Sequence, residues 1–207
     1  MEFFGDRHKV AEVPDLDIVI HIQNIIIARN KILDVSSETG QTGSMQTANA
    51  PEVKIREMRN RDDAEAFRDL NEEWITRYFT LEPKDREILE DPENAIVRKG
   101  GRVFLVHDGA CAAVGCVALI PVGGGVYELS KMAVAPETRG RGIGRKLLAY
   151  AIAQARQMGA VSLFLGSNSR LENAVHLYES AGFRHVPPEN LPATEYTRAN
   201  VFMEMEL

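Results

Sequence analysis

Cysteine is scarce: there are two in 207 residues, Cys111 and Cys116, too few for a disulfide scaffold. No Cys/His spacing matches a zinc site, so no metal is expected, and both thiols read as small buried hydrophobes in a reducing, cytoplasmic compartment. Long apolar runs are also missing. The longest, residues 18–28, is broken by His21, Gln23 and Asn24, where a spanning helix needs ~20 apolar residues. Its acidic lead (Glu12, Asp15, Asp17) is the wrong flank for a secretory signal. Nor is there an excess of basic residues: 24 Lys+Arg against 30 Asp+Glu leave a net charge of −6, which excludes a general nucleic-acid binder. Aromatics are only 7%, but 44% hydrophobic and 26% charged residues suffice for a buried core. The length allows one domain of ordinary size with an appendage.

The chain divides near residue 50. Residues 36–51, SSETGQTGSMQTANAP, have linker composition, so residues 1–50 are expected to be an N-terminal extension and linker with poor order, and 51–207 a folded domain. Residues 18–27 fit a strand or a short helix equally. Residues 1–44 carry seven acidic and four basic side chains, a net −3 equal to that of the remainder, so the acidity is not concentrated in a tail. Met45 is an alternative start for the chain.

From Val53 the patterns sharpen. Val53-Lys-Ile-Arg-Glu-Met58 alternates as a half-buried strand. Asp62 and Glu65 form a capping-box pattern ahead of Phe67, Leu70, Trp74, Ile75 and Tyr78 at helical spacing. A short helix is expected over Lys84–Glu90, ending before Pro92. Strands over Arg102–His107 and Cys111–Ile120 flank Asp108-Gly109, a hairpin signal. Gly123-Gly-Gly-Val126 turns into a strand over Tyr127–Val134. Ile143, Leu147, Leu148, Ala151, Ile152, Ala155 and Met158 mark a long amphipathic helix. A strand over Val161–Leu165, a helix over Leu171–Ala181 ended by Gly182, and a closing strand over Val201–Leu207 complete a mixed-sheet α/β layout.

The densest chemical signal is Met132-Ala-Val-Ala-Pro136-Glu-Thr-Arg139-Gly-Arg-Gly142-Ile-Gly144-Arg145. A strand stops at a proline, and a glycine-rich turn opens directly into a helix. Gly140, Gly142 and Gly144 let the backbone turn tightly and a bulky group approach. The first helical turn offers unpaired N–H groups and the positive end of the dipole, which favour a phosphate. Arg139, Arg141 and Arg145 add a local positive field. The spacing is neither the dinucleotide fingerprint nor a G-K-[ST] triphosphate loop.

Arg139-x-x-Gly142-x-Gly144 after Met-Ala-Val-Ala-Pro resembles the acyl-CoA pyrophosphate loop of the GNAT N-acyltransferase superfamily. Ala174-Val-His-Leu-Tyr178-Glu-Ser-Ala-Gly182-Phe183 resembles a second segment of that superfamily, A-x-x-L-Y-x-x-x-G-F. The resemblance covers residues 53–207 and implies a mixed, mostly antiparallel central sheet flanked by helices. It also implies transfer of an acyl group, acetyl above all, from acetyl-CoA to a primary amine by direct attack. By the same resemblance, backbone amides from Arg139 through Gly140, Arg141, Gly142, Ile143 and Gly144 to Arg145 hold the pyrophosphate, and the main chain of Met132, Ala133 and Val134 pairs with the pantetheine arm. Tyr178 then faces the sulfur as acid. The position where many members carry a pantetheine-binding Asn is Leu171 here, with Asn168 or Asn173 as substitutes. The final stretch from Tyr196 to Leu207 is similar to that of a small-acyltransferase subgroup.

Glu128, on the strand leading into the glycine turn, is the candidate base. A lysine-type amine costs about 4–5 kcal/mol to deprotonate at pH 7 and an α-amine only ~1, so the need for a base depends on the acceptor. Trp74, Tyr78 and Phe79 follow one helix face, where core packing is favoured over substrate stacking. Family resemblance nonetheless makes Tyr78, Glu82 and Tyr196 acceptor-site candidates. No cysteine is in register with a histidine for a covalent intermediate. The expected partners are a small-molecule or peptide amine, with no nucleic acid or membrane, and the chain is a monomer or homodimer. The rival from another class is a non-catalytic acyl-CoA-binding sensor or interaction module.

Overall fold

The computed structural model describes residues 53–109, 112–187 and 196–207. The expectations for residues 1–50, and for Cys111, lie outside them. Seven strands form one sheet: β1 (Lys54–Glu57), β2 (Arg102–His107), β3 (Ala113–Gly123), β4 (Val126–Val134), β5 (Ser162–Ser167), β6 (Arg184–His185) and β7 (Val201–Glu206). The helices are α1 (Arg61–Tyr78), α2 (Pro83–Glu90), the single turn α3 (Pro92–Ala95), α4 (Ile143–Gln157) and α5 (Glu172–Ser180). The sheet order is β1-β2-β3-β4-β5-β7-β6, and every neighbouring pair is antiparallel except β4–β5. The mixed, mostly antiparallel sheet flanked by helices is therefore observed.

Side-chain alternation on the central strands divides the core into two layers. Phe104, Val106, Val117 and Leu119 pack with Leu147, Leu148, Ala151 and Ala155 of α4. Val103, Leu105, Cys116 and Ala118 face Phe67 and Ile75 of α1 and Ile88 and Leu89 of α2. With both faces covered, β2 from Val103 to Val106 and β3 are apolar, which is why their composition resembles that of buried strands.

Local chemistry corrects two boundaries. The α1 cap is Asn60, whose Oδ1 accepts from the Asp63 N–H at 2.9 Å, and not the Asp62/Glu65 box. Asp62 lies inside the first turn, while the Asp63 carboxylate is taken by both guanidinium nitrogens of Arg56 (2.6 and 2.8 Å) and the Arg59 N–H (2.8 Å). Among the described residues the strand after Asp108-Gly109 begins at Ala113, and its pairing slips between Val106/Gly115 and His107/Ala113. At the next hairpin, Gly124 and Gly125 both have positive φ (58° and 80°), the geometry of a tight primed turn. β5 starts and ends one or two residues later than its apolar run, since Gly166 and Ser167 still pair with Phe202 and Val201.

Hydrogen bonding to Arg56, opposed by desolvation, holds the Asp63 carboxyl below its ordinary 3.8. A depressed native pKa contributes stability above the unfolded value and loses it as pH falls through the native one. Asp63→Asn is therefore expected to cost about 2 kcal/mol at pH 7. In urea melts the gap from wild type should close as the pH drops below 3.8.

A cleft between parting strands

β4 and β5 pair at only three positions, from Val126/Ser162 to Glu128/Phe164. Beyond Glu128, β4 continues on β3 and β5 continues on β7, so the two strands part and, among the described residues, one edge of β4 is left open. The parting coincides with a bulge. Between Cys116/Ala133 and Ala118/Ser130, β4 uses one residue more than β3, and Lys131 takes up a left-handed conformation, φ 53°. For a non-glycine residue that geometry persists only where the surroundings hold it. Here the Cys116 Sγ donates to the Lys131 carbonyl at 3.6 Å, while Asn71, buried in α1, donates its amide to Cys116 Sγ at 3.3 Å and to the Phe67 carbonyl at 2.9 Å. Burial pushes the Cys116 thiol up to about 12, so it acts as packing and not as a nucleophile.

The space between the strands is a cleft of about 910 Å³. One end is the glycine turn. Gly140 and Gly142 have φ of 77° and 76°, which only glycine adopts at low cost, and Gly142 caps α4 with no side chain. Gly144 is different. It lies inside the first turn of α4, and an added Cβ would meet Leu177 Cδ2 at an ordinary 3.5 Å, so backbone geometry does not require glycine there. The first intrahelical bond after the cap runs from the Lys146 N–H to the Gly142 carbonyl. The N–H groups of Ile143, Gly144 and Arg145 therefore precede the ladder at the mouth of the cleft. Arg139 Nε donates to the Val134 carbonyl at 3.1 Å, which holds its guanidinium against the end of β4.

Apart from Arg141 and Glu82, the candidate residues line this cleft. Met132, Ala133 and Val134 line it along the open edge of β4, Arg139, Gly140 and Arg145 line it at the turn, and Asn173 and Tyr178 line it from α5. Arg141 does not line the cleft, and its guanidinium pairs with Asp108 Oδ2 at 2.7 Å. Tyr178 is 8% exposed, and desolvation pushes its hydroxyl up to about 12. Its hydroxyl points at the Met132 thioether, 3.9 Å away, a weak acceptor. Asn168 also lines the cleft, but its amide is engaged twice, donating to the Arg198 carbonyl at 2.6 Å and accepting from the Arg170 N–H at 2.8 Å.

The other end lies between Glu128, the aromatic residues at the end of α1, and the segment before β7. Trp74, Tyr78 and Phe79 are half-buried and line it, where helical periodicity favoured core packing. The Trp74 indole donates to Asn71 Oδ1 at 3.2 Å, and its ring meets Phe79 edge-on at 6.4 Å. Tyr196 lines the cleft as well, while Glu82 stands behind it, accepting from the Thr197 and Arg198 N–H groups at 2.9 and 3.3 Å.

Sequence reasoning missed a buried charge network at this end. Lys131 Nζ donates to Asp85 Oδ1 and to the Tyr196 hydroxyl, both at 2.7 Å. Arg198 grips both oxygens of Asp85 at 2.7 and 2.8 Å and reaches Glu82 at 3.1 Å. Lys131 and Arg198 lie over the Tyr196 ring at 4.5 and 4.7 Å. Burial pulls Lys131 below the ordinary lysine value against the attraction of Asp85. The one signal in the sequence was a lysine in the middle of the strand β4. Its partners lie 46 and 65 residues away in sequence, so nothing local announced them.

The sequence profile of the Acetyltransferase (GNAT) family matches residues 64–183, more than half of the chain. An uncharacterized N-acetyltransferase of Schizosaccharomyces pombe is 30% identical over 140 residues, covering 66% of this chain and 85% of that protein. An acetyltransferase of the GNAT family from Staphylococcus aureus superposes with a TM-score of 0.69 at 24% identity, over 75% of this chain and 99% of that one. A Thermoplasma acidophilum paia N-acetyltransferase solved in complex with coenzyme A does so with 0.59 at 19% identity, over 75% and 99%. With the family profile spanning its central elements, this chain belongs to the Acetyltransferase (GNAT) family.

Proposed function

We propose that this chain transfers an acetyl group from acetyl-CoA to a primary amine by direct attack. The observation that carries the reading is that the open edge of β4 and the N-terminus of α4 end on the same cleft. The N–H groups of Ile143 to Arg145 and the guanidinium of Arg139 suit the diphosphate, and the main chain of Met132, Ala133 and Val134 suits the amides of the pantetheine arm. In this reading one N–H of that edge stabilises the oxyanion that forms on the thioester carbonyl. Asn173 is the side chain left to meet the arm, given what Asn168 already binds.

The amine nitrogen bonds to the thioester carbon, the C–S bond breaks, and sulfur leaves with the electron pair. Glu128, directly or through water, takes the proton that the ammonium loses. Tyr178, raised by burial, keeps its proton throughout the working pH range. Full transfer from about 12 to a thiol near 8.5 costs roughly 5 kcal/mol, so Tyr178 supports the departing sulfur with a hydrogen bond while the thiolate completes its protonation in water.

Two measurements test the reading together: binding of coenzyme A by calorimetry, and thiol release from acetyl-CoA across a panel of amines. Heat with coenzyme A and amine-dependent thiol release are expected. Gly142→Ala should weaken coenzyme A binding at least 10-fold, because a Cβ is strained at φ 76° and the turn must shift. Tight binding with no thiol release from any amine makes the chain an acyl-CoA sensor, and an absence of binding removes the reading.

A further inference from the structure

Resting on that reading, we infer that the acceptor is a free amino acid whose carboxylate is received by Arg170 while its amine faces Glu128. Away from the glycine turn, the charged residues lining the cleft are the cations Lys131, Arg170 and Arg198 and the carboxylates Glu128 and Glu172. The carboxylates that answer Lys131 and Arg198 stand behind the wall. Asp85 is fully buried, and neither it nor Glu82 lines the cleft. Lys131 and Arg198 are thus neutralised by their own ion pairs, and Arg170 is the cation of this group that pairs with no carboxylate among the described residues.

Arg170 is the group placed to receive an anion. It leaves the loop between β5 and α5, crosses to the end of α1, donates through Nη1 to the Tyr78 carbonyl at 3.1 Å and lies over the Phe79 ring at 5.3 Å. These neutral partners fix the guanidinium without cancelling its charge, and a guanidinium offers five N–H groups in a fork that matches a carboxylate. Its backbone is set as firmly. The buried amide of Asn168 ties the Arg170 N–H to the Arg198 carbonyl, so one side chain places both arginines at the cleft wall. The half-buried Trp74 and Phe79 rings form an apolar face for the amino acid's side chain. A polyamine would bring a further cation against Arg170. A peptide N-terminus has an amide where a free amino acid has its carboxylate. In the reaction the α-nitrogen takes the acyl carbon and the C–S bond breaks as described above, with the carboxylate unchanged.

The test compares kcat/KM for matched sets: L-phenylalanine, L-leucine and L-methionine, their carboxamides and their decarboxylated amines, with acetyl-CoA saturating. At least one free amino acid should exceed its amide and its amine by 10-fold or more. Arg170→Gln should raise the KM for that amino acid by at least 10-fold and bring its advantage over the amide towards one. KM for acetyl-CoA and the thermal midpoint, measured alongside, separate this from a folding defect. Amides, simple amines or polyamines used as well as or better than every free amino acid overturn the inference and leave the transferase reading standing. So does an Arg170→Gln variant that loses equally on amino acid and amide. Absence of thiol release with every amine removes the reading on which it rests.

Discussion

Asp85→Ala is expected to lower the unfolding free energy by about 3–5 kcal/mol, the largest stability effect of any single change at the cleft. The carboxylate is fully buried at the start of α2 and holds two cations, Lys131 Nζ at 2.7 Å and Arg198 through two bonds. Desolvation alone would raise its pKa; hydrogen bonding to Arg198 and the charge of Lys131 hold it below 3.8 instead. Removing it leaves a lysine whose side chain is 3% exposed with the Tyr196 hydroxyl and the charge of Glu128 to answer it, and no ion pair to Asp85. The cost is that of a buried charge losing its ion pair, so it depends on Lys131 being present. Asp85→Ala combined with Lys131→Met should recover a good part of the loss in a urea-melt cycle. Because the native pKa is depressed, wild type should lose its advantage over Asp85→Ala as the pH falls below 3.8. An Asp85→Ala variant within 1 kcal/mol of wild type at pH 7 would show that the network does not hold α2, β4 and the segment before β7 together.

Tyr178→Phe is expected to reduce kcat by about 100-fold while coenzyme A binds as before. The hydroxyl meets only a thioether at 3.9 Å, and the ring packs edge-on against Phe183 at 5.9 Å, so the substitution preserves the packing and removes little besides the donor. Thermal unfolding should move by no more than a few degrees, which separates a chemical loss from a structural one. With the hydroxyl pushed up to about 12, the wild-type rate should show no break from this group between pH 6 and 9. Unchanged turnover in the phenylalanine variant would remove Tyr178 from the chemistry and leave the departing sulfur to solvent.

The contrast between Gly142 and Arg141 shows what a motif can carry. The need for glycine at 142 is a backbone property, φ 76°, and is readable from its place between a halted strand and a helix. The fate of the Arg141 charge is not, since its partner Asp108 lies in a loop between two other strands and only the packed fold brings them to 2.7 Å. Trp74 and Phe79 make the same point for apolar residues. Helical spacing puts Trp74 on the inward face, but whether that face meets core or cleft depends on where β4 and β5 separate. Asn168 and Asn173 are equivalent candidates in the sequence, and only the fold shows that the Asn168 amide is bonded to the backbones of Arg170 and Arg198.

By itself the sequence determined the element order and the glycine turn at the head of α4. Each follows from local periodicity or backbone sterics within a few residues. Only the tertiary structure decided that β4 and β5 part after Glu128, that Lys131 adopts a left-handed bulge, and that Asp85, Lys131, Tyr196 and Arg198 meet. Those features depend on side chains from distant segments sharing one desolvated space, where the strength of a charge pair and the cost of a bulge are set by neighbours that no local pattern specifies.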